Sequence, residues 1–261
     1  MAMIENAENT PGPLAMQRRR NLPMKAAFGW LGAGWRDLWQ VPGPSLVYGL
    51  IVFAISLAVI WGLFQLQADY ILFPALAGFM VVGPLMAIGL YQKSRDIEEG
   101  RAVSLARMIF VDAGSGAQVW FTGAILCLLM LTWMRAAVII YALFFGLRPF
   151  PGLDHVAHML ATTPEGWAML VVGTVVGGLF AAFSFAISTF SIPMLLAERT
   201  DAFTAMGTSI SLVWNNLSVM LTWGAIVLVL FLLSLATGLL GLIVIFPLLG
   251  HATWHSYRAI R

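Results

Sequence analysis

Long apolar runs are the feature of this sequence that most restricts its fold. Residues 50–64 and 219–235 are apolar on every face rather than at every second position, so they predict helices and not strands. A helix needs about 20 apolar residues to cross a hydrocarbon core of roughly 30 Å. Because only 10% of the residues are charged, too few polar side chains are present to cover a water-soluble globule. The sequence therefore predicts an all-α protein embedded in a membrane.

Six segments are predicted to span the membrane: residues 45–66, 71–91, 119–147, 167–196, 217–235 and 239–254. The apolar run at residues 217–250 is too long for one helix, and Thr237 with Gly238 near its middle favours two helices joined by a turn. The prediction is a polytopic helical bundle of about six transmembrane helices, which form a single transmembrane domain at residues 24–261.

The segment before the first span divides into two parts. Residues 1–23 predict a disordered cytoplasmic tail, because residues 11–20 hold two prolines, a glycine and three arginines and offer almost nothing to bury. Residues 24–40 carry leucine and tryptophan at helical spacing, which is typical of a helix at the membrane interface. The prolines of residues 41–44 are expected to end this helix before the first span.

Basic residues lie almost entirely on one side of the predicted bundle. Of the 14 lysines and arginines, only Arg135 lies within a span and only Arg148 lies on the outer side when the amino terminus is inside. The positive-inside rule then predicts that both termini are cytoplasmic. The net charge of +2 creates no strong basic field, so nucleic acid is not predicted as a partner.

Three segments that lead into spans resemble one another, namely residues 34–39, 113–120 and 209–214. The second helix of each following pair carries a proline near its cytoplasmic end, where a kink is expected; these prolines are Pro84, Pro193 and Pro247. The pattern predicts three repeated helical hairpins, each preceded by an interfacial helix, around an axis along the membrane normal. The alternative is that the three segments resemble one another only because all membrane helices have a similar composition.

Arg135 is a candidate functional residue because it lies inside the third apolar run. A buried guanidinium costs several kcal/mol unless it is paired or hydrated. The alternative is that Arg135 extends its charge to an interface. Gly173 and Gly177, four residues apart in the next span, predict close helix packing.

His251 and His255 are four residues apart on one helix, so their rings can face the same way and form a weak candidate for a metal or haem site. Two imidazoles fall short of the three or four ligands that a metal site needs. An interfacial belt with the neighbouring aromatic residues is the stronger interpretation. No metal or other cofactor is therefore predicted.

Charged residues between the spans do not predict an active site. Glu198 and Asp201 lie beside basic residues, but no nucleophile or phosphate-binding loop accompanies them. These two residues, like residues 93–101, are predicted to lie in solvated connectors that form salt bridges. The sequence therefore predicts that the protein is not an enzyme.

The sequence at residues 247–258, together with residues 195–202, resembles a prokaryotic family of integral membrane proteins, domain of unknown function 2189. The resemblance implies a multi-pass protein of a bacterial inner membrane. Some members carry the label cytochrome c oxidase subunit I. A haem-copper oxidase core would need six histidine ligands, and this chain has four histidines in all, so that catalytic role is not expected.

These observations predict a non-enzymatic accessory, assembly or scaffold component of a membrane complex, with a respiratory complex as one candidate. Its expected partners are the lipid bilayer and other membrane-protein subunits. One alternative is a small transporter or channel that uses Arg135. A second alternative is the handling of haem or copper through His251 and His255.

Overall fold

The computed structural model describes residues 21–146, 158–160 and 162–261. Residues 1–20 of the tail predicted at residues 1–23, and the loop at residues 147–157 with Arg148, lie outside the described residues. The helices, numbered along the chain, are α1 (Ala26–Gln40), α2 (Pro42–Gln65), α3 (Leu72–Met86), α4 (Ile88–Glu98), α5 (Leu105–Ile109), α6 (Gly116–Phe145), α7 (Pro164–Ser188), α8 (Ser191–Ala197), α9 (Ala202–Asn215), α10 (Leu217–Ala236) and α11 (Leu242–Ile260).

Five helical segments among the described residues are long and apolar enough to cross a membrane, which confirms the polytopic α-helical bundle. They are Pro42–Gln65, Asp69–Glu98, Gly116–Phe145, Pro164–Ala197 and Leu217–Ala236. The predicted sixth span, residues 239–254, lies mostly in α11. The first half of α11 is apolar, whereas its second half carries polar side chains that pack inside the bundle, so α11 differs in composition from the other five.

A tight turn separates α10 from α11. Helix α10 ends at Ala236 and α11 begins at Leu242. Gly238 and Leu239 between them adopt positive φ angles of 62° and 70°, a conformation that glycine adopts without strain. The predicted division of the apolar run at residues 217–250 is therefore confirmed.

The order of the helices follows the predicted threefold pattern of a peripheral helix, a span and a second span. Residues 34–39 lie in α1 and residues 209–214 lie in α9, as expected. The second copy differs, because its peripheral helix is α5 and residues 113–120 lead directly into α6. Ser104 fixes the start of α5, since its hydroxyl accepts a hydrogen bond from the backbone N–H of Arg107 at 3.3 Å.

The three predicted kink prolines do not act alike. Pro84 lies in the last turn of α3, two residues before the break between α3 and α4. Pro193 is the third residue of α8, just after the break that follows α7. Pro247 lies inside α11, which continues through it. Pro42 begins α2 rather than separating it from α1, because proline is tolerated where a helix has no N–H partner to lose.

The largest buried side chains collect at one end of the bundle, which we call the polar end. They include Trp223 of α10, Trp254 of α11, Tyr91 of α4 and Phe190, which precedes α8. Helices α1, α5 and α9 and the second half of α11 lie at this end. The turns after α2 and α10 form the opposite end.

Two glycines let α11 pack closely against its neighbours. A Cβ atom at Gly49 of α2 would lie 2.2 Å from the carbonyl oxygen of Ile243, and one at Gly34 of α1 would lie 2.6 Å from the backbone nitrogen of Ala252. These obstacles are backbone atoms, which cannot rotate away. The close approach of α11 to α1 and α2 therefore requires glycine.

The Gly49→Ala variant is expected to lower the free energy of unfolding by about 1–3 kcal/mol, because the new methyl group forces α2 away from α11. The measurement is thermal unfolding of the purified protein in mild detergent. Gly62→Ala is the matched control, since a Cβ atom at Gly62 of the same helix meets no atom within 4 Å. Equal stability of the two variants would contradict the close packing of α2 on α11.

Candidate functional site

The ammonium group of Lys93 is buried at the polar end, where it closes the end of α1. Lys93 has no exposed surface. Lys93 Nζ donates to the carbonyl oxygen of Val41 at 2.6 Å and to Ser45 Oγ at 2.7 Å, and lies 3.5 Å from the carbonyl oxygen of Leu38. These carbonyls belong to the end of α1, where helical N–H partners are missing and the helix dipole is negative. Lys93 therefore joins α4 to the corner between α1 and α2.

His251 continues this network from α11 to α2 and α4. Its ring is fully buried; Nε2 lies 2.9 Å from Ser45 Oγ and Nδ1 lies 2.9 Å from Ser94 Oγ. Both ring nitrogens therefore have hydroxyl partners, which fix the orientation of the ring. A metal ion could bind His251 only if it displaced one of these hydroxyls.

Asp37 and His255 form a second polar contact between α1 and α11. Asp37 Oδ2 lies 2.8 Å from His255 Nε2. Burial raises the pKa of the Asp37 carboxyl, but hydrogen bonds from His255 and Ser94 outweigh this effect and hold the pKa below its usual value. Asp37 is therefore an anion at neutral pH, and it helps to balance the nearby Lys93 ammonium.

Arginine pairs with a buried carboxylate between α4 and α5. Asp96 is only 1% exposed and accepts hydrogen bonds from Arg107 Nε at 2.9 Å, from Arg107 Nη2 at 2.8 Å and from Gln92 at 2.8 Å. Arg101 Nε lies 3.0 Å from the same carboxylate. Two guanidinium groups therefore compensate the buried charge, as a buried ion requires.

Two glutamates attach α11 to the rest of the polar end. Glu98 of α4 accepts a hydrogen bond from Trp254 Nε1 at 3.2 Å and lies 2.8 Å from Arg258 Nη2. Glu198, which follows α8, accepts a hydrogen bond from the Tyr257 hydroxyl and forms an ion pair with Arg261. The Glu198 side chain therefore connects the end of α8 to α11. The prediction that Glu198 lies in a solvated connector is wrong.

The structure separates the remaining sequence candidates from this network. Asp201 begins α9, where its carboxylate accepts a hydrogen bond from the backbone N–H of Thr204 at 2.9 Å; this is the geometry of a helix N-cap. Arg135 is exposed on α6, and no hydrogen bond or ion pair joins it to another described residue. Of the five candidates, His251, His255 and Glu198 each contact another helix of the polar end through their side chains, whereas Asp201 caps its own helix and Arg135 is exposed.

Sequence reasoning missed the residues at the centre of the network, namely Asp37, Ser45, Lys93 and Ser94. Lys93 and Ser94 were predicted in a solvated connector because charged residues follow them. In the structure, α4 extends to Glu98 and buries both. The available signal was the uninterrupted helical pattern after Leu90, which gave no reason to end the helix at Tyr91.

An apolar cavity of about 1100 Å³ lies between α3, α6, α7, α10 and α11. It extends from Tyr70 and Gly146 at the opposite end to Tyr91 and Thr253 at the polar end. None of the described residues that line it is an aspartate, glutamate, lysine, arginine or histidine. Arg135 faces away from this cavity wall. The cavity is larger than most sites for small molecules, which occupy about 300–1,000 Å³.

Trp133 of α6 packs between α3 and α7 beside the cavity. Its Nε1 donates to the carbonyl oxygen of Pro74 at 3.1 Å, and a Cβ atom at Gly177 would lie 2.8 Å from its ring. A Cβ atom at Gly173, one turn earlier in α7, would meet no atom within 4 Å. The prediction of close packing therefore holds for Gly177, whereas Gly173 lines open space in the cavity.

A comparison with known families agrees with this membrane fold. Residues 72–197 match the model of the family described as "Predicted integral membrane protein (DUF2189)", which confirms the resemblance drawn from the sequence. The match extends from α3 to α8, so the motif at residues 247–258 lies outside it. Comparison with curated proteins and with solved structures finds no match.

The His251→Ala variant is expected to lower the free energy of unfolding by about 1–3 kcal/mol, because it leaves the buried hydroxyl of Ser94 without its ring partner. Thermal unfolding in detergent measures the loss. His158→Ala is the control, since His158 is exposed and, among the described residues, its ring has a hydrogen-bond partner only in Thr162 on the next helical turn. A stability of His251→Ala equal to that of the wild type would contradict a structural role for the ring.

Proposed function

We propose that this protein is a non-enzymatic membrane protein that binds a lipid-like apolar molecule inside its helical bundle. The observation that carries the proposal is the cavity of about 1100 Å³, whose described lining holds no charged side chain. A site of this kind favours a long hydrocarbon chain over an ion or a sugar, because an unpaired charge would lose its hydration without compensation.

The cost of an empty cavity supports the same proposal. Empty space beside apolar side chains costs free energy, because those side chains lose dispersion contacts. An apolar guest from the bilayer removes most of the cost by restoring dispersion contacts with the lining side chains.

The sequence predicts an accessory, assembly or scaffold component of a membrane complex. We propose that lipid binding is how the protein performs this role. A protein that holds a lipid in its bundle can present that lipid to a neighbouring subunit, in a respiratory complex or another. The proposed partners are accordingly the bilayer and other membrane-protein subunits. Co-purification from native membranes tests this part of the proposal, and the absence of any stoichiometric partner would count against it.

The two alternative functions find less support in the geometry. Transport of an anion through Arg135 would require this residue at the cavity, but Arg135 is exposed on α6, outside the cavity lining. Haem or copper handling would require free ring nitrogens, but His251 uses both of its nitrogens in hydrogen bonds to serines and His255 uses one on Asp37.

We propose the bacterial inner membrane as the location, with the polar end in the cytoplasm. The support is the clustering of arginines at this end, where Arg101, Arg107, Arg258 and Arg261 meet carboxylates, because basic residues favour the cytoplasmic side.

Single cysteines introduced into a Cys127→Ser background test this orientation. A membrane-impermeant maleimide is expected to label Leu240→Cys, at the opposite end, in intact spheroplasts. Arg199→Cys, at the polar end, is expected to react only after lysis. The reverse pattern would overturn the proposed orientation.

The Gly173→Leu variant tests whether the cavity holds a guest. The new side chain enters open space, so the protein is expected to fold while the amount of co-purified lipid falls by about half or more, because less cavity volume remains for an apolar chain. Lipid extraction followed by mass spectrometry measures the change. Gly62→Leu is the control, because Gly62 also has open space around it but does not line the cavity. Equal lipid content in the two variants would contradict the proposal.

A further inference from the structure

The cavity has two hydroxyl groups at its polar end that lack protein partners. Tyr91 of α4 and Ser188 of α7 both line the cavity, and each residue is only 1% exposed. Within the described parts of the chain, neither hydroxyl makes a hydrogen bond. A buried hydroxyl without a partner carries a free-energy penalty, so these two groups are positioned for a ligand.

The neighbouring hydroxyls at the same end are already engaged. Thr253 donates to the carbonyl oxygen of Leu249 at 2.8 Å, and Ser184 donates to the carbonyl oxygen of Ala181 at 3.1 Å. Their hydrogens are therefore used within their own helices. Tyr91 and Ser188 differ because their donor hydrogens have no acceptor in the described protein. The polar end of the cavity therefore lacks a hydrogen-bond acceptor for these two hydroxyls among the described residues.

The charge of the lining decides which acceptors fit. The described cavity lining holds no cationic side chain, so a fatty-acid carboxylate or a phosphate group would be buried without a counter-charge. A neutral carbonyl oxygen has two lone pairs and needs no counter-charge. Its two lone pairs match in number the two hydroxyls that need an acceptor.

We propose that the cavity binds a neutral lipid whose carbonyl head group lies between Tyr91 and Ser188 and whose tail extends toward Tyr70 and Gly146. This inference rests on the proposed lipid-binding function and adds the class and direction of the ligand. The same carbonyl chemistry occurs in the ester of a diacylglycerol and in the ring of an isoprenoid quinone. These two sources share a long apolar tail, which the cavity wall accommodates.

Equilibrium binding to the delipidated full-length protein in detergent tests the inference. The probes are dioleoylglycerol, a quinone with a decyl tail, and hexadecane, which has a tail without a head group. The variants are Tyr91→Phe and Ser188→Ala, each of which removes one hydroxyl with little change of shape. Ser56→Ala is the matched control for Ser188→Ala, because Ser56 of α2 also carries a hydroxyl but is not among the residues that line the cavity.

Tyr91→Phe and Ser188→Ala are each expected to weaken binding of the carbonyl probe about tenfold, the loss associated with one hydrogen bond. Binding of hexadecane is expected to stay unchanged, as is binding of every probe to Ser56→Ala. The delipidated Tyr91→Phe protein is expected to be at least as stable as the wild type, since this hydroxyl makes no hydrogen bond to the residues that the structure describes. Tighter binding of one carbonyl probe to the wild type identifies which source supplies the ligand.

Two failures have different meanings. If both hydroxyl variants bind the carbonyl probes as tightly as the wild type does, the head-group inference is overturned while the cavity remains a lipid site. If the wild type binds no probe, or if Gly173→Leu binds all probes unchanged, the proposed function itself is overturned.

Discussion

The buried ammonium of Lys93 is the constraint on which the polar end depends. A lysine without exposed surface needs oxygen atoms around it, and here they come from Val41, Ser45 and the end of α1. Ser45 also contacts His251, so the same group fixes the position of α11. Helices α1, α2 and α4 therefore meet around one charge, and His251 joins α11 to them through Ser45 and Ser94.

A rigid polar end makes a loosely packed bundle possible. Trp133 packs against Gly177 and bonds to the carbonyl of Pro74, which spaces α3, α6 and α7, while Phe79 of α3 stacks on Phe231 of α10 with ring centroids 5.8 Å apart. The apolar cavity lies between these contacts. In water such a space would collapse or cost a large fraction of the stability. In a bilayer, the surrounding solvent itself supplies molecules that fit it.

The sequence predicted the spans better than it predicted the site, for physical reasons. An apolar run and a turn at Thr237 and Gly238 are local features, and both were interpreted correctly. The burial of Lys93 depends on Val41 and His251, which are distant in the chain, and a charged stretch looks solvated when those partners are unknown. Gly173 and Gly177 show the same limit: they are identical in type and one helical turn apart, yet only Gly177 meets Trp133, and only the three-dimensional fold distinguishes them.

The proposed function depends on an apolar cavity between α3, α6, α7, α10 and α11 that holds a lipid-like guest. The most direct measurement is an electron cryomicroscopy map of the full-length protein in lipid nanodiscs, bound to an antibody fragment for size. We expect elongated density, not attributable to protein, between α3, α6, α7, α10 and α11, with one end beside Tyr91 and Ser188. Side chains of α7 and α10 packed together with no space between them would contradict it.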